Sequence, residues 1–220
     1  MIIMEKKDIQ SALKKIREGK KRKFPQSIDL IINLRNLNMK KTEDQVDFFL
    51  TLPTGLGKKR KVCAIVGPEL YDDAKKVCDL TIHIDNLNDY KKKVREAKKI
   101  ARENDFFVAQ ANIMPQVAGA FGRILGPKGK MPNPKAGAVV PPKTNMKALY
   151  EKFQRTLRVM AKTAPMIQIL IGTEEQDDQT IMDNLTFAYN NVIHHLPKEK
   201  HNVREVLIKT TMGKPHVIAH

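Results

Sequence analysis

Val62-Cys63-Ala64-Ile65-Val66, Leu80-Thr81-Ile82-His83-Ile84 and Asp105-Phe106-Phe107-Val108-Ala109 are short runs rich in apolar residues. Each is followed by a stretch with helical spacing: Glu69 to Val77, Tyr90 to Arg102 and Pro115 to Leu125. Parallel strands need a crossover long enough to hold a helix, and strands covered on both faces read as unbroken apolar runs. Strand and helix alternating in this order predict a parallel sheet wrapped by helices, a Rossmann-like three-layer α/β domain.

The rhythm differs on both sides of this block. Lys6 to Gly19 reads as a short amphipathic helix with Ile9, Leu13 and Ile16 on one face, followed by the basic run Lys20, Lys21, Arg22, Lys23. From Phe24 to Asn36, the even positions Phe24, Ile28, Leu30, Ile32 and Leu34 alternate with Ser27, Asp29, Asn33 and Arg35, the period of a half-buried strand. Val46, Phe48, Leu50 and Leu52 alternate likewise and run into the loop Pro53-Thr54-Gly55-Leu56-Gly57, so the two stretches fit as an antiparallel pair. Beyond the block, Asn145 to Arg158 has helical spacing, Met166 to Gly172 reads as a strand, Thr180 to Leu196 as a helix, and Val203 to Thr211 as a last strand. The economical architecture is both α/β and α+β: a discontinuous α+β terminal domain with an antiparallel sheet, residues 1–60 and 157–220, interrupted by an inserted α/β domain, residues 61–156. The chain would cross between the two twice, a hinge by construction, near Lys58 to Lys61 and near Arg158 to Ala164.

Forty Lys and Arg against 24 Asp and Glu leave a formal charge of +16 on 220 residues, with a pI near 9.8. A surplus of this size suits a polyanion, although net charge alone also fits a merely Lys-rich enzyme. Distribution sharpens it. Phe106 to Tyr150 holds Arg123, Lys128, Lys130, Lys135, Lys143 and Lys147 and no acid, whereas Thr163 to Pro197 holds Glu174, Glu175, Asp177, Asp178 and Asp183 and no Lys or Arg. Lys40, Lys41, Lys91, Lys92, Lys93, Arg95, Lys98 and Lys99 read as solvated faces. Cys63 and Cys78 stand in apolar surroundings without a cleavable leader, which predicts reduced core thiols in a cytoplasmic protein. No run approaches the about 18 to 20 apolar residues of a membrane span.

Gly119 to Gly137 contains five of the eleven glycines and Pro115 to Pro142 six of the twelve prolines. Bare amides combined with Arg123, Lys128, Lys130 and Lys135 raise the possibility of a phosphate loop. The nucleoside triphosphate pattern fails on spacing, since Ile124 and Met131 stand where a Gly and a Ser or Thr are needed. Gly55-Leu56-Gly57 continues with Lys58, Lys59 and Arg60, so the dinucleotide pattern fails too. A proline-stiffened lid between domains fits the loop equally. No spacing links His83, His194, His195, His201, His216 or His220 to the cysteines as a metal set, and no catalytic residue, metal or cofactor is predicted. The rival reading is a phosphate-handling or nucleotide-binding enzyme that uses this Gly/Pro-rich loop.

Gly122-Arg123-Ile124-Leu125-Gly126-Pro127 and Met131-Pro132-Asn133-Pro134-Lys135, with Met114-Pro115 ahead of them, are similar to the most distinctive motif of the large-subunit ribosomal protein L-one family. Leu52-Pro53-Thr54-Gly55-Leu56-Gly57-Lys58 looks like that family's loop leaving the first domain, and Thr210-Thr211-Met212-Gly213 like its RNA-contacting turn. The resemblance spans nearly the whole chain, and Gln176-Asp177-Asp178 ahead of the last helix makes it look like an archaeal member. It implies a structural protein, a monomer within the large ribosomal subunit, whose terminal domain holds the stalk helices of ribosomal RNA. It also implies help in releasing deacylated tRNA from the exit site and repression of its own mRNA. The contact residues it implies are Lys23, Phe24, Ser27, Thr211, Met212 and Gly213. Arg123, Gly126, Lys128, Gly129, Lys130, Asn133 and Lys135 are implied for either RNA or the facing domain. Two residue readings stay open: Phe24 shares the core parity of Ile28, and Gln168 stands where many members have a His.

Overall fold

The computed structural model describes residues 6–19 and 22–219, so Lys20 and Lys21 of the basic run lie outside the described residues. The chain divides into two compact units, Met1–Lys58 with Arg155–His220, and Lys59–Gln154. In chain order the elements are α1 (Lys6–Arg17), β1 (Ser27–Leu34) and β2 (Val46–Thr51); then β3 (Val62–Val66), α2 (Pro68–Val77), β4 (Leu80–His83), α3 (Leu87–Lys92), α4 (Val94–Glu103), β5 (Phe106–Gln110), α5 (Met114–Leu125), β6 (Val139–Val140) and α6 (Met146–Arg155); then β7 (Thr156–Ala161), β8 (Met166–Thr173), α7 (Asp178–His194), β9 (Val203–Thr210) and β10 (His216–Ala219). No described helix is long and apolar enough to cross a membrane.

In the inserted unit β3, β4, β5 and β6 form a parallel sheet in the order β4-β3-β5-β6. Helices cover it on both sides, which is why all five residues of β3 are buried. Cys63, Ile65 and Phe107 on one face pack with Ala97, Ala101, Val117 and Phe121 of α4 and α5. On the other, the rings of Phe106 and Phe153 of α6 lie 5.0 Å apart. The single helix expected over Tyr90 to Arg102 is two, because the chain turns at Lys93 (φ −91, ψ 60). The break lets Leu87 on α3 and Ala97 and Ala101 on α4 reach the same core.

In the terminal unit β10, β9, β1 and β8 form an antiparallel sheet in that order, and β2 pairs with β7 in a separate two-stranded sheet. The expected pairing of the first two strands with each other is therefore corrected: β1 lies between β8 and β9, and the partner of β2 comes from the far end of the chain. The helix expected through Arg158 stops at Arg155, and residues 156–161 pair with β2 instead, burying Leu157 and Val159. Val203 to Thr210 is not the last strand, since β10 follows it. Ile9, Leu13 and Ile16 of α1 and Ile181, Leu185 and Val192 of α7 bury the even face of the sheet, with Ile28, Leu30, Ile32, Ile169 and Ile208. Each such side chain contributes about 1.5–3 kcal/mol when fully buried. Cys63 is buried as expected, but Cys78 is only half-buried. Burial pushes the Cys63 thiol far up and that of Cys78 up to about 11, so both are thiols at neutral pH.

Candidate nucleic-acid interface

Strand parity leaves the second face of the four-stranded sheet half-exposed. Both helices of the terminal unit pack on the even side of β1, so Ser27, Asp29, Ile31 and Asn33 face outward. Register brings Lys209 and Leu170 beside Asp29, Leu207 and Gln168 beside Ile31, and Glu205 and Met166 beside Asn33. Gln168 donates its Nε2 to Asp29 Oδ2 at 3.2 Å, and Asn33 Nδ2 to Glu205 Oε1 at 2.8 Å. An apolar centre is thus ringed by side chains that offer both donors and acceptors. Asp29 and Lys209 also stand on this face, and the parity that Asp29 shares with Ser27 is the sequence signal for it.

At one end of this face β1 begins and β9 ends. Thr211 donates its N–H to Ser27 O at 3.0 Å, and Ser27 donates its N–H to Thr211 Oγ1 at 3.2 Å. The turn that follows closes with Gly213 N–H donating to Thr210 O at 3.1 Å. A Cβ on Gly213 would collide with Thr210 Oγ1, so the close approach needs glycine. Met212 stands out at the tip, 63% exposed, and Phe24 is 49% exposed. Phe24 does not share the fate of Ile28: the strand starts only at Ser27, and Pro25 has no N–H for the ladder. Lys23 is exposed beside it. A hollow of about 510 Å³ lies against the turn, lined by Lys15, Arg22, Gln26, Met212, Lys214 and His216 among others.

The structure therefore gathers Ser27, Thr211, Met212 and Gly213 at one sheet end, with Lys23 and Phe24 on the approach to it. The Gly/Pro-rich residues belong to the inserted unit. There Arg123, Gly126, Lys128, Gly129 and Lys135 are exposed. Lys130 turns inward, its ammonium donating to Ala101 O at 3.2 Å and Asn104 O at 2.6 Å at the end of α4, and burial lowers its pKa. Asn133 Oδ1 accepts from Lys135 N–H at 2.9 Å, and Asn133 O from the N–H groups of Ala136 and Ala138. Gly126, Gly129, Lys130 and Gly137 likewise donate their amides to carbonyls of the same segment. These amides hold the loop's own shape. Doubly wound sheets bind ligands where the strand order reverses, here beyond β3 and β5. That place is filled by Gln110, 1% exposed, which accepts from Gly67 N–H at 2.9 Å and donates to Glu69 Oε2 at 3.1 Å. Among the described residues no group of three or more His, Cys, Asp or Glu is placed to hold a metal.

A terminal unit with an open-faced antiparallel sheet, interrupted by an inserted parallel α/β unit, defines the class, and the comparisons place the chain within it. The model of the ribosomal protein L1p/L10e family matches residues 13–214. The chain is 42% identical over 205 residues to large ribosomal subunit protein uL1 of Nanoarchaeum equitans, covering 91% of this chain and 94% of that protein. It is 36% identical over 213 residues to uL1 of Methanothermococcus thermolithotrophicus, covering 96% and 98%, and 35% identical over 211 residues to uL1 of Thermococcus kodakarensis, covering 94% and 95%. The chain belongs to the ribosomal protein L1p/L10e family, and these relatives are archaeal.

Proposed function

We propose that this chain is a structural protein of the large ribosomal subunit whose terminal unit, the RNA-binding one, holds the stalk region of ribosomal RNA against the open sheet face. The observation that carries the reading is the double pairing of Ser27 with Thr211, which sets hydroxyls, a glycine turn and two exposed apolar tips side by side. Folded RNA is recognised by shape, 2′-hydroxyls and phosphates, which small polar groups and bare peptide units approach without steric conflict. Met212 and Phe24 offer apolar surface to ribose or base faces. Asp29 and Glu205 accept from 2′-hydroxyls, while Lys23, Arg22 and Lys214 attract the backbone. The overall charge of +16 draws the RNA in, and the nearly uncharged turn selects it.

Within the same reading the chain sits as a monomer in the cytoplasmic ribosome and helps deacylated tRNA leave the exit site. It also represses its own synthesis by binding an mRNA segment that imitates the ribosomal site. Support comes from family membership and from the chemistry of the turn, which fits any RNA presenting the same fold.

Filter binding to a stalk-helix RNA tests the reading. Affinity is expected to be specific and to fall by several decades per decade of salt, on the order set by counterion release. Thr211→Asp or Met212→Asp should weaken specific binding at least about thirtyfold, since a buried or apposed like charge costs about 2 kcal/mol or more. Lys92→Asp should act only through the salt-dependent part. Equal losses at the turn and at Lys92 would place the contact elsewhere, and salt-independent binding would remove the electrostatic argument.

A further inference from the structure

Gln26 is a polar side chain only 3% exposed, at an even position of the segment whose other even residues, Ile28 and Leu30, are core. Both ends of its side-chain amide are bonded. Oε1 accepts the Met212 N–H at 3.1 Å, and Nε2 donates to Glu174 Oε1 at 2.9 Å. Its backbone N–H donates to Glu174 Oε2 at 3.3 Å, and its carbonyl accepts the Glu174 N–H at 3.0 Å. Glu174 is held in turn. The Arg17 guanidinium at the end of α1 donates to Glu174 O at 3.0 Å, Gln176 O at 2.7 Å and Asp178 Oδ1 at 2.6 Å.

A carboxylate so near a turn that faces RNA works against attraction of a polyanion. Here both of its oxygens are taken up by Gln26, and Gln26 spends its carbonyl oxygen on the amide at the tip of the turn. A buried amide side chain bonded at both ends has one orientation. It therefore fixes the peptide between Thr211 and Met212, and with it the point from which the Met212 side chain leaves the turn. A turn fixed before binding spares the entropy of ordering it on the RNA.

From this geometry we infer that Gln26 and Glu174 are positioning residues for RNA recognition: a buried amide and its half-buried carboxylate partner that together set the Thr211–Gly213 turn in its binding shape. The inference rests on the reading of that turn as the RNA contact, and it extends recognition to two residues that act through the turn.

The test uses the full chain, with stalk-helix RNA as ligand and two readouts. One is amide hydrogen exchange of Met212 in the free protein, which does not involve RNA. The other is RNA affinity at fixed salt. Gln26→Leu should speed Met212 exchange and weaken RNA binding, each by about tenfold, with the salt slope unchanged because no phosphate contact is lost. Gln26→Glu, which sets two carboxylates against each other, should do the same or worse. Gln26→Glu combined with Glu174→Gln restores one donor and one acceptor across the pair and returns the net charge to that of the natural chain. This double variant should regain affinity to within about threefold and recover slow Met212 exchange. Because it is compared with a single variant of the same fold, general destabilisation cannot imitate the rescue. Met212 exchange unchanged in Gln26→Leu overturns the inference, as does rescue of neither readout by the swap. If exchange responds and Thr211→Asp abolishes binding while Gln26→Leu leaves affinity intact, the positioning role is overturned and the RNA reading stands. If Thr211→Asp also leaves affinity intact, the RNA reading fails and takes the inference with it.

Discussion

At the scale of the residue, the turn after β9 depends on what is missing from Gly213. A side chain there would overlap Thr210 Oγ1, and Thr210 is itself buried at the strand end, so neither partner can move far. Gly213→Ala should shift the turn, weaken stalk-RNA binding by about tenfold or more, and cost about 1–2 kcal/mol of stability. Filter binding and a thermal melt read the two effects, and an alanine variant with natural affinity would mean that the turn does not need its present shape. The sequence carried part of this, because Thr211-Met212-Gly213 ends an alternating strand and glycine signals a turn. Gln26 is a second signal: it is polar at a position of core parity, which calls for a hydrogen-bond partner. That partner, Glu174, is far away in the chain and looks like one more acid in an acidic run. Phe24 is a different case. Its parity assigns it to the core, but Pro25 delays the strand and turns it out to solvent.

At the scale of the element, the inserted unit was legible because each central parallel strand is apolar on both faces and each crossover has helical spacing. Pairing partners were not legible. β2 and β7 meet across a large separation in sequence, and β7 hides within the continuing helical period of α6. What marks the pair is electrostatic. Arg158 on β7 donates to both oxygens of Asp47 on β2, at 2.9 and 2.8 Å, and stands 5.7 Å from the centre of the Phe49 ring, while Lys162 reaches Asp47 at 2.7 Å. The Arg158 hydrogen bond, opposed by burial and aided by Lys162, holds the Asp47 carboxyl down at about 2. A carboxyl depressed in the folded state stabilises above its unfolded value of 3.8 and loses that contribution as pH falls toward 2. Asp47→Asn should therefore cost about 1 kcal/mol near pH 7, after allowance for solvent screening, and the gap to the natural chain should close as pH drops from about 4 to about 2. Denaturant melts across that range check it, and a gap that does not vary with pH would mean the pair is not ionic.

At the scale of the whole molecule, both units carry a positive surplus, while the open sheet face belongs to the terminal unit. The inserted unit has its own core, built around Phe107, Phe121 and Ile65, and its two ends are tied together: Arg60 N–H donates to Gln154 Oε1 at 2.9 Å and Gln154 Nε2 to Arg60 O at 2.8 Å. A fragment of Lys59 to Gln154 should therefore fold alone, with cooperative melting. It holds 19 of the 40 Lys and Arg against 10 of the 24 Asp and Glu, so it should still attract RNA. That attraction should be of the non-specific kind, weak, steep in salt and indifferent to the stalk sequence, because phosphate contacts carry no sequence information. The terminal unit, with residues 58 and 155 joined by a short Gly/Ser linker, should keep the stalk preference and lose part of the salt slope. Filter binding of both pieces to stalk and unrelated helices separates the contributions. Tight, stalk-specific binding by the inserted fragment would move recognition to that unit and leave Ser27 and Thr211 as parts of an ordinary strand end.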